Sequence, residues 1–328
     1  MKSTDPQPFR VGFLLIDGFA LLSYSSAAEP MRAANHLAGK RLYDVRHIPV
    51  AGGRSVSSSG AVIEGTAALE GDRDFDLVLV VAGGDPARFD DGRVFQWLRM
   101  MARRGVQIGG VSGGPVILAR AGVMAGRRMT VHWEHAQTLA EIQTLAEIQT
   151  QAEMTLSLLV ERSLYVIDRD RMTCAGGTAA LDMMHAVITR HHGAAFARRV
   201  SDWFMHTDVR PSGGPQRAGL VERYGVSDPA IIQAIEMMEN HVADPLSLDQ
   251  LARLCGLGAR QLNRLFREKL GLSTMAFYRG LRLEKARNLL EQSVLSVTEI
   301  ALATGFASSA HFSTAFKSRF RHSPSKIR

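Results

Sequence analysis

The chain has few cysteines and no long apolar run. Only two of its 328 residues are cysteines, Cys174 and Cys255. Two cysteines so far apart in sequence exclude a disulfide framework and are typical of reduced thiols in the cytosol. No apolar run approaches the roughly 18 residues of a membrane-spanning helix, and the first ten residues lack the apolar stretch of a signal peptide. We therefore expect a cytoplasmic protein with no membrane partner.

Sequence motifs for nucleotide cofactors and for metals are also missing. Gly83-Gly84 follows an apolar run but does not belong to a G-x-G-x-x-G pattern, so a dinucleotide site is not expected. His191-His192 lacks the further ligands that a metal site needs. We predict neither a cofactor nor a metal.

Positive charge is concentrated in the last quarter of the chain. The formal net charge is +7, and residues 246–328 carry 14 basic and 5 acidic residues, whereas the remainder carries 25 and 27. Such a region has the charge expected for binding the phosphate backbone of DNA, although a solvated basic surface would show the same excess. The charge therefore indicates DNA only together with motifs in the same region.

The first two hundred residues alternate apolar runs with helical patterns. The runs at 10–16, 76–84 and 106–112 are continuous, as in parallel strands that are covered on both faces. The helical patterns span 21–37, 94–104 and 176–191. We predict an α/β domain with a flavodoxin-like parallel sheet and helices on both faces. Its ligands would bind beyond the carboxyl ends of the strands.

The basic region contains two similar helix pairs, at 245–271 and 296–320. Each has a short apolar-striped helix, a glycine turn and a second helix with a polar face. A short glycine turn between two such helices presents the second helix to the major groove of DNA. We predict an all-α domain with two helix-turn-helix units at 227–328. Residues 208–226, rich in Pro, Gly and Arg, would link it to the first domain, 9–207.

The second helix of each pair carries the candidate DNA contacts. In the first pair, Arg260 and Arg264 lie one turn apart, and arginine can donate two hydrogen bonds to guanine. Asn263 can read adenine, and Arg267 is expected at a phosphate. Each arginine could also be a surface charge with no groove contact. The second pair exposes shorter side chains and should read bases less strongly: Ser309, Ala310, Ser313, Thr314 and Lys317.

These residues resemble the AraC/XylS family of bacterial transcription regulators over about the last hundred residues. The resemblance rests on RLEKARNLL, on IALATGFASSAHFSTAFK at 300–317 and on SPSKIR at 323–328. It implies base-reading positions at Arg260, Asn263, Arg264, Ser309, Ala310 and Thr314. Thr314 stands where the family commonly has arginine, which puts strong base contacts by the second helix in doubt.

The first domain contains a candidate catalytic or ligand-binding turn at 110–114. The residues Gly-Val-Ser-Gly-Gly fit the G-x-S-x-G nucleophile elbow, in which a strand turns sharply into a helix. His132 and Glu29 could complete a hydrolase site with Ser112. Their order along the chain, with the acid far upstream, is not that of an α/β-hydrolase.

The same region resembles the class I glutamine amidotransferase-like domain of the PfpI type. By motif, Ser112 takes the place of that domain's cysteine, Glu29 of its glutamate and His132 of its histidine. The resemblance also includes VVAGGDP at 80–86 and TCAGGTAALDMM at 173–184. A PfpI-type domain fused to an AraC-type domain is the arrangement of GlxA-like regulators, which include arginine, glycine-betaine and carnitine responders.

Ser112 decides between an enzyme and a sensor. A serine hydroxyl has no ionised form near neutral pH, so it would need His132 as an aligned base. The amides at Ser112 and Gly113 could instead hold a carboxylate, while Glu29 or Asp85 met an ammonium group and Trp133 stacked on a quaternary nitrogen. The candidate ligand-binding residues are Glu29, Gly84, Asp85, Ser112, Gly113, His132 and Trp133.

We therefore predict a sequence-specific DNA-binding regulator, an activator of catabolic genes, and not an enzyme. Its partners would be double-stranded DNA, RNA polymerase, a second copy in a homodimer, and an effector that is an amino acid, a betaine or a related amine. Two alternatives stay open. One is a PfpI-type hydrolase or lyase that uses Ser112, His132 and Glu29 and carries a DNA anchor. The other is a ligand-independent DNA-binding protein with an inactive scaffold domain.

A tandem duplication interrupts the first domain. The sequence TLAEIQ at 138–143 recurs at 144–149. Six extra helical residues would add roughly 9 Å and turn the following residues about two-thirds of a turn out of phase. We interpret it as a tolerated surface insertion.

Overall fold

The structure, a computed structural model, describes residues 7–136, 138–140, 142, 158–217, 219–292 and 295–327. The TLAEIQ duplication lies mostly outside these residues, so its effect stays a prediction. The chain divides into two compact units, Met1–Gln216 and Arg217–Arg328, and we describe each by itself. The boundary between the units falls inside the predicted linker.

A mostly parallel sheet forms the centre of the first unit. Its six strands run in the order β2-β1-β5-β6-β10-β9, and β9 is the antiparallel one. Two separate two-stranded sheets, β3-β4 and β7-β8, accompany it. The described strands are β1 (Phe9–Leu15), β2 (Tyr43–Pro49), β3 (Arg54–Val56), β4 (Val62–Glu64), β5 (Leu77–Ala82), β6 (Gln107–Ser112), β7 (Arg128–Met129), β8 (Leu159–Val160), β9 (Tyr165–Asp168) and β10 (Arg171–Cys174).

Helices cover both faces of this sheet, which explains why the central strands are apolar without interruption. Every residue of β5 is buried. The described helices are α1 (Leu21–Ala38), α2 (Gly92–Arg103), α3 (Gly114–Arg120), α4 (Ala179–His192) and α5 (Ala194–Trp203). Apolar residues of α1, α4 and α5 share one core with the sheet, and those of α2 and α3 share the other. The predicted α/β fold is confirmed.

The second unit is helical in the part of the chain that the structure describes. Its helices are α6 (Leu220–Tyr224), α7 (Pro229–Asn240), α8 (Leu248–Leu254), α9 (Ala259–Leu270), α10 (Thr274–Gln292), α11 (Val297–Ala303) and α12 (Ser309–Phe320). The pairs α8-α9 and α11-α12 are the two predicted helix-turn-helix units, and each has its own apolar core. The long helix α10 contacts both pairs. Among the described helices, none is long and apolar enough to cross a bilayer.

Capping boxes fix the first turn of both α8 and α11. Ser247 accepts a hydrogen bond from the backbone N–H of Gln250, and the Gln250 side chain accepts one from the Ser247 N–H. Ser296 and Glu299 make the same reciprocal pair. These contacts satisfy donors that the helix itself leaves without a partner, so both pairs begin at a defined residue.

Candidate functional sites

The second helices of the two pairs, α9 and α12, have the same pattern of burial. Each has 12 residues, and they begin at Ala259 and Ser309. Leu262 and Phe266 of α9 are completely buried, as are Phe312 and Phe316 of α12. Buried residues at this i, i+4 spacing face the core, so the opposite side of each helix faces solvent. Both helices therefore present one polar face.

Three arginines occupy the exposed face of α9. Arg260, Arg264 and Arg267 are all exposed. Arg264 lies 3.7 Å from Glu268, a loose pair between two exposed side chains. Among the described residues, none forms a hydrogen bond or ion pair with the guanidinium group of Arg260 or of Arg267. Their guanidinium groups are therefore available to a DNA duplex.

Asn263 makes a structural contact that the sequence did not predict. It is half-buried, and its Oδ1 accepts a hydrogen bond of 3.0 Å from the backbone N–H of Thr274, at the start of α10. Reading adenine needs both the amide oxygen and the amide nitrogen. The oxygen also caps α10, but it has a second lone pair and the amide nitrogen is not used in this contact, so the base contact at Asn263 stays a prediction.

The exposed face of α12 is less basic than that of α9. Ala310, Thr314 and Lys317 are exposed, while Ser309 and Ser313 are half-buried. The Thr314 hydroxyl donates to the carbonyl of Ala310 at 3.0 Å, so its proton is used within the helix. Lys317 is the charged group among the predicted positions of this helix. The contrast with α9 agrees with the expectation of weaker base reading by α12.

Four further side chains lie on these exposed faces and were not singled out from the sequence. They are Gln261, Glu268, His311 and Ser318, all of which are exposed. His311 also meets the Phe306 ring edge-on, with 5.7 Å between the ring centroids. The helical period counted from the buried residues would have placed all four on the outer face.

Helix α10 contributes an arginine that supports the turn of the second helix pair, between α11 and α12. Arg282 donates from Nε to the carbonyl of Thr304 at 2.7 Å and from Nη2 to that of Gly305 at 2.5 Å. Its guanidinium lies 4.4 Å from the centroid of the Phe306 ring. Arg282 therefore stabilises the turn between α11 and α12.

The first unit contains the predicted elbow. Ser112 ends β6 with a φ of +60°, a left-handed conformation that serine rarely adopts. A Cβ atom on Gly114 would lie 2.0 Å from the carbonyl oxygen of Val80, and one on Gly176 would lie 2.7 Å from the Cβ of Ser112. Only glycine fits either position. The strand, the sharp turn and the helix that follows are thus in place.

The elbow amides are less available than predicted. The N–H of Gly113 donates to the carbonyl of Ala82 at 3.0 Å, which continues the pairing between β5 and β6. Pro115, at the start of α3, has no N–H to offer. The predicted carboxylate contact at Gly113 would therefore have to break a sheet hydrogen bond.

Ser112 and His132 do not form a hydrogen-bonded nucleophile and base in the structure. Among the described residues, none bonds to the Ser112 hydroxyl. His132 Nδ1 accepts a hydrogen bond from the Glu134 N–H at 3.4 Å and lies 3.6 Å from the Glu134 carboxylate. Burial lowers the pKa of His132, although Glu134 acts in the opposite direction. His132 and Trp133 are neighbours, with 5.3 Å between their ring centroids, and both are half-buried.

The structure brings Ser23, rather than Glu29, to the elbow. A Cβ on Gly176 would lie 2.8 Å from Ser23 Oγ, beside the Cβ of Ser112. Ser23 is buried and accepts a hydrogen bond of 2.7 Å from the Gly177 N–H. Glu29 lies six residues further along α1, about 9 Å along its axis. Its carboxylate is partly exposed and pairs with Arg32 at 2.6 Å.

Gly84 and Asp85 follow β5 at the same end of the sheet as Ser112. Gly84 has a φ of +58°. The Asp85 carboxylate lies 3.0 Å from Nε of Arg88 and accepts a hydrogen bond from the Ala87 N–H. Burial raises the pKa of Asp85, and Arg88 opposes this shift. An ammonium ligand at Asp85 would therefore compete with Arg88. Among the described residues, no cluster of three or more metal-ligating side chains is present.

Two family models match the chain. The DJ-1/PfpI family matches residues 9–190, and a helix-turn-helix domain matches residues 251–328. The chain is 45% identical to the HTH-type transcriptional regulator GlxA of Rhizobium meliloti, over 97% of this chain and 95% of that protein. It is 40% identical to the HTH-type transcriptional regulator CdhR of Pseudomonas aeruginosa, over 96% and 90%.

A solved structure has a similar fold over part of the chain. The structure of an AraC family transcriptional regulator from Pseudomonas putida is similar with a TM-score of 0.51 and 23% identity. The similarity covers 60% of this chain and all of that one. At this level of identity the likeness concerns the fold alone.

Proposed function

Because this chain belongs to the family of HTH-type transcriptional regulators that join a DJ-1/PfpI domain to a helix-turn-helix domain, we propose that it is an effector-controlled activator of catabolic genes. In this proposal it works in the cytoplasm as a homodimer and recruits RNA polymerase. Residues 9–207 sense the effector, 208–226 form the linker, and 227–328 bind DNA. DNA contact is made through the arginines of α9, Asn263 and Lys317, with smaller contributions from Ser309, Ala310, Ser313 and Thr314.

The elbow is the observation that favours sensing over catalysis. Ser112 is 7% exposed and lies in a left-handed turn against Gly176. A serine nucleophile needs a base within hydrogen-bonding distance, and among the described residues His132 bonds to Glu134 instead. A turn of this kind can bind a ligand without activating a hydroxyl group. We therefore propose that the first domain is not an enzyme.

The effector that fits best is a small amine or zwitterion. We assign the binding of a quaternary or guanidinium group to Trp133, because tryptophan rings attract such cations, and burial lowers the pKa of the neighbouring His132, which favours its neutral form. Ser112 and Ser23 offer hydroxyl groups at the elbow. A carboxylate would bind there through these hydroxyls, because the Gly113 amide is already bonded to Ala82.

A thermal-shift screen tests effector binding. Glycine betaine, carnitine, L-arginine and putrescine are the probes. A ligand at a hundred times its Kd stabilises the folded state by about 2.7 kcal/mol, which raises Tm by several degrees. We expect at least one probe to raise Tm in the wild type and in the matched control Trp203→Ala, whose tryptophan is exposed on α5, but not in Trp133→Ala. A shift retained in Trp133→Ala, or no shift with any probe, contradicts the proposal.

The same protein preparation tests the catalytic alternative. Wild type and Ser112→Ala are incubated with libraries of esters and amides. We expect no turnover by either. Turnover by the wild type that Ser112→Ala abolishes would establish a hydrolase and overturn the sensor.

A further inference from the structure

Residues 206–216, which we name the strap, connect α5 to the end of the first unit. Side-chain hydrogen bonds hold the strap to the rest of that unit near its beginning and at its last residue, and a backbone hydrogen bond holds its middle. The chain passes from Gln216 directly into the second unit. The strap is therefore the part of the first unit that leads into the second unit.

The first attachment is a buried carboxylate that is fully bonded. Asp182 of α4 is 0% exposed and accepts hydrogen bonds from the strap residues His206 and Arg210. His206 Nε2 lies 2.8 Å from Oδ1, and Arg210 donates from its backbone N–H at 2.9 Å and from its guanidinium at 2.6 and 3.0 Å. Leaving the buried Asp182 carboxylate without its partners would be costly, so this attachment is strong.

The middle of the strap follows the edge of the sheet. The N–H of Leu164, just before β9, donates to the carbonyl of Ser212 at 2.8 Å. A Cβ on Gly214 would lie 3.0 Å from the Leu164 side chain, so the strap packs closely here. A cleft of about 270 Å³ lies beside it and is lined by Ser212, Gly213, Ser163 and Tyr165, among others.

The second attachment is the side-chain amide of Gln216. Its Nε2 donates to the carbonyl of Ser163 at 2.7 Å, the carbonyl of Val131 at 3.0 Å and the hydroxyl of Thr130 at 3.1 Å. Two amide hydrogens are thus shared among three acceptors. The amide oxygen is buried, and within the described ranges no group donates to it. An unsatisfied buried acceptor is unfavourable, so this attachment is weaker than the one at Asp182.

The weaker attachment lies next to the proposed effector site. Val131, whose carbonyl accepts from Gln216, is the residue before His132 and Trp133. We infer that Gln216 is a latch: an effector that moves residues 131–133 alters its hydrogen bonds and so changes the state of the DNA-binding unit. This inference rests on the proposed function, because it assumes an effector near Trp133. Asp182 keeps the strap attached in both states.

The latch is tested on the full chain without knowledge of the effector. Duplexes are first selected from a randomised library with the wild type, and their affinity is then measured for three variants. Gln216→Glu puts a carboxylate against the three acceptors at nearly constant size. Gln216→Met removes the donor. Ser212→Ala is the matched control, because only the backbone carbonyl of Ser212 bonds to Leu164.

We expect both Gln216 variants to change the affinity for the selected duplex by at least about fivefold, the lower end of allosteric couplings, and Ser212→Ala to stay within about twofold. Tryptophan fluorescence confirms that each variant is folded, because Trp97, Trp133 and Trp203 all lie in the first unit. Affinities within about twofold of wild type for either folded Gln216 variant overturn the latch and leave the proposed function standing. Failure of the wild type to select any duplex overturns the proposed function itself.

Discussion

The fold changes the titration of His135 strongly. It is 4% exposed, and burial, together with the neighbouring His132, lowers its pKa from 6.5 to about 4. Between these values the unfolded chain binds more protons at this site than the folded chain. The contribution of neutral His135 to the free energy of unfolding is therefore complete above about pH 6.5. It decreases as the pH drops toward 4, by at most about 3 kcal/mol in total.

Urea unfolding of the first unit, followed by tryptophan fluorescence, measures this loss. We expect the wild type to lose stability between pH 7 and about pH 5. His135→Gln should show a smaller loss over the same range, because it has no proton to bind. His322→Gln, at an exposed histidine of the second unit, is the control and should behave as the wild type. An equal loss in His135→Gln and the wild type would refute the assignment.

Residue type alone could not assign every role in the two sites. Ser112 was predicted at the elbow because glycines at fixed spacing surround it, and the structure places it there. Ser23 was missed because a serine in a small-residue helix carries no signal until the chain folds back over it at Gly176. The contact between Asn263 and the start of α10 was not predicted, because the sequence does not show that this helix begins beside it.

At the scale of helices, the turn between α11 and α12 depends on α10. Arg282 bonds to two carbonyls of that turn, and burial lowers its pKa while Tyr278 opposes the shift. A lysine has no planar fork and cannot reproduce both bonds. The orientation of α12 thus depends on an arginine outside its own helix pair.

Arg282→Lys tests this dependence by hydrogen–deuterium exchange. Leaving a buried carbonyl without its donor costs about 1–3 kcal/mol, so we expect the amides of 304–306 to exchange at least about fivefold faster. Arg279→Lys, an exposed arginine one turn earlier on α10, is the matched control and should leave these amides unchanged. Unaltered exchange in Arg282→Lys would mean that the turn is stable without the two hydrogen bonds of the Arg282 guanidinium group.

Elements with strong local patterns were predictable, and long-range contacts were not. The continuous apolar runs became β1, β5 and β6, and the two glycine turns became helix-turn-helix units, because burial on both faces and turn geometry are local requirements. The strap was predicted only as part of a linker. Its Pro- and Gly-rich sequence has no periodicity, and it is held by residues far away in sequence, such as Asp182.

At the scale of the whole molecule, the basic charge is concentrated in the region to which we assign DNA binding, and not in the region to which we assign effector binding. The excess of basic residues lies in 246–328, and the three exposed arginines of α9 lie within it. The first unit carries the proposed effector site and the strap, and the chain between them is continuous. In this account, the second unit provides affinity and base preference, and the first unit sets how that affinity responds to a metabolite.

Base preference measured by selection from a randomised duplex library tests the central claim most directly. It is measured for the wild type, Arg260→Ala and, as a matched loss of one charge on the same helix, Arg267→Ala. We expect Arg260→Ala to lose the preference at one base pair, at a cost of about 1–3 kcal/mol, and Arg267→Ala to weaken binding to all duplexes equally. A wild-type preference at every position in Arg260→Ala would contradict the assignment of α9 as the base-reading helix.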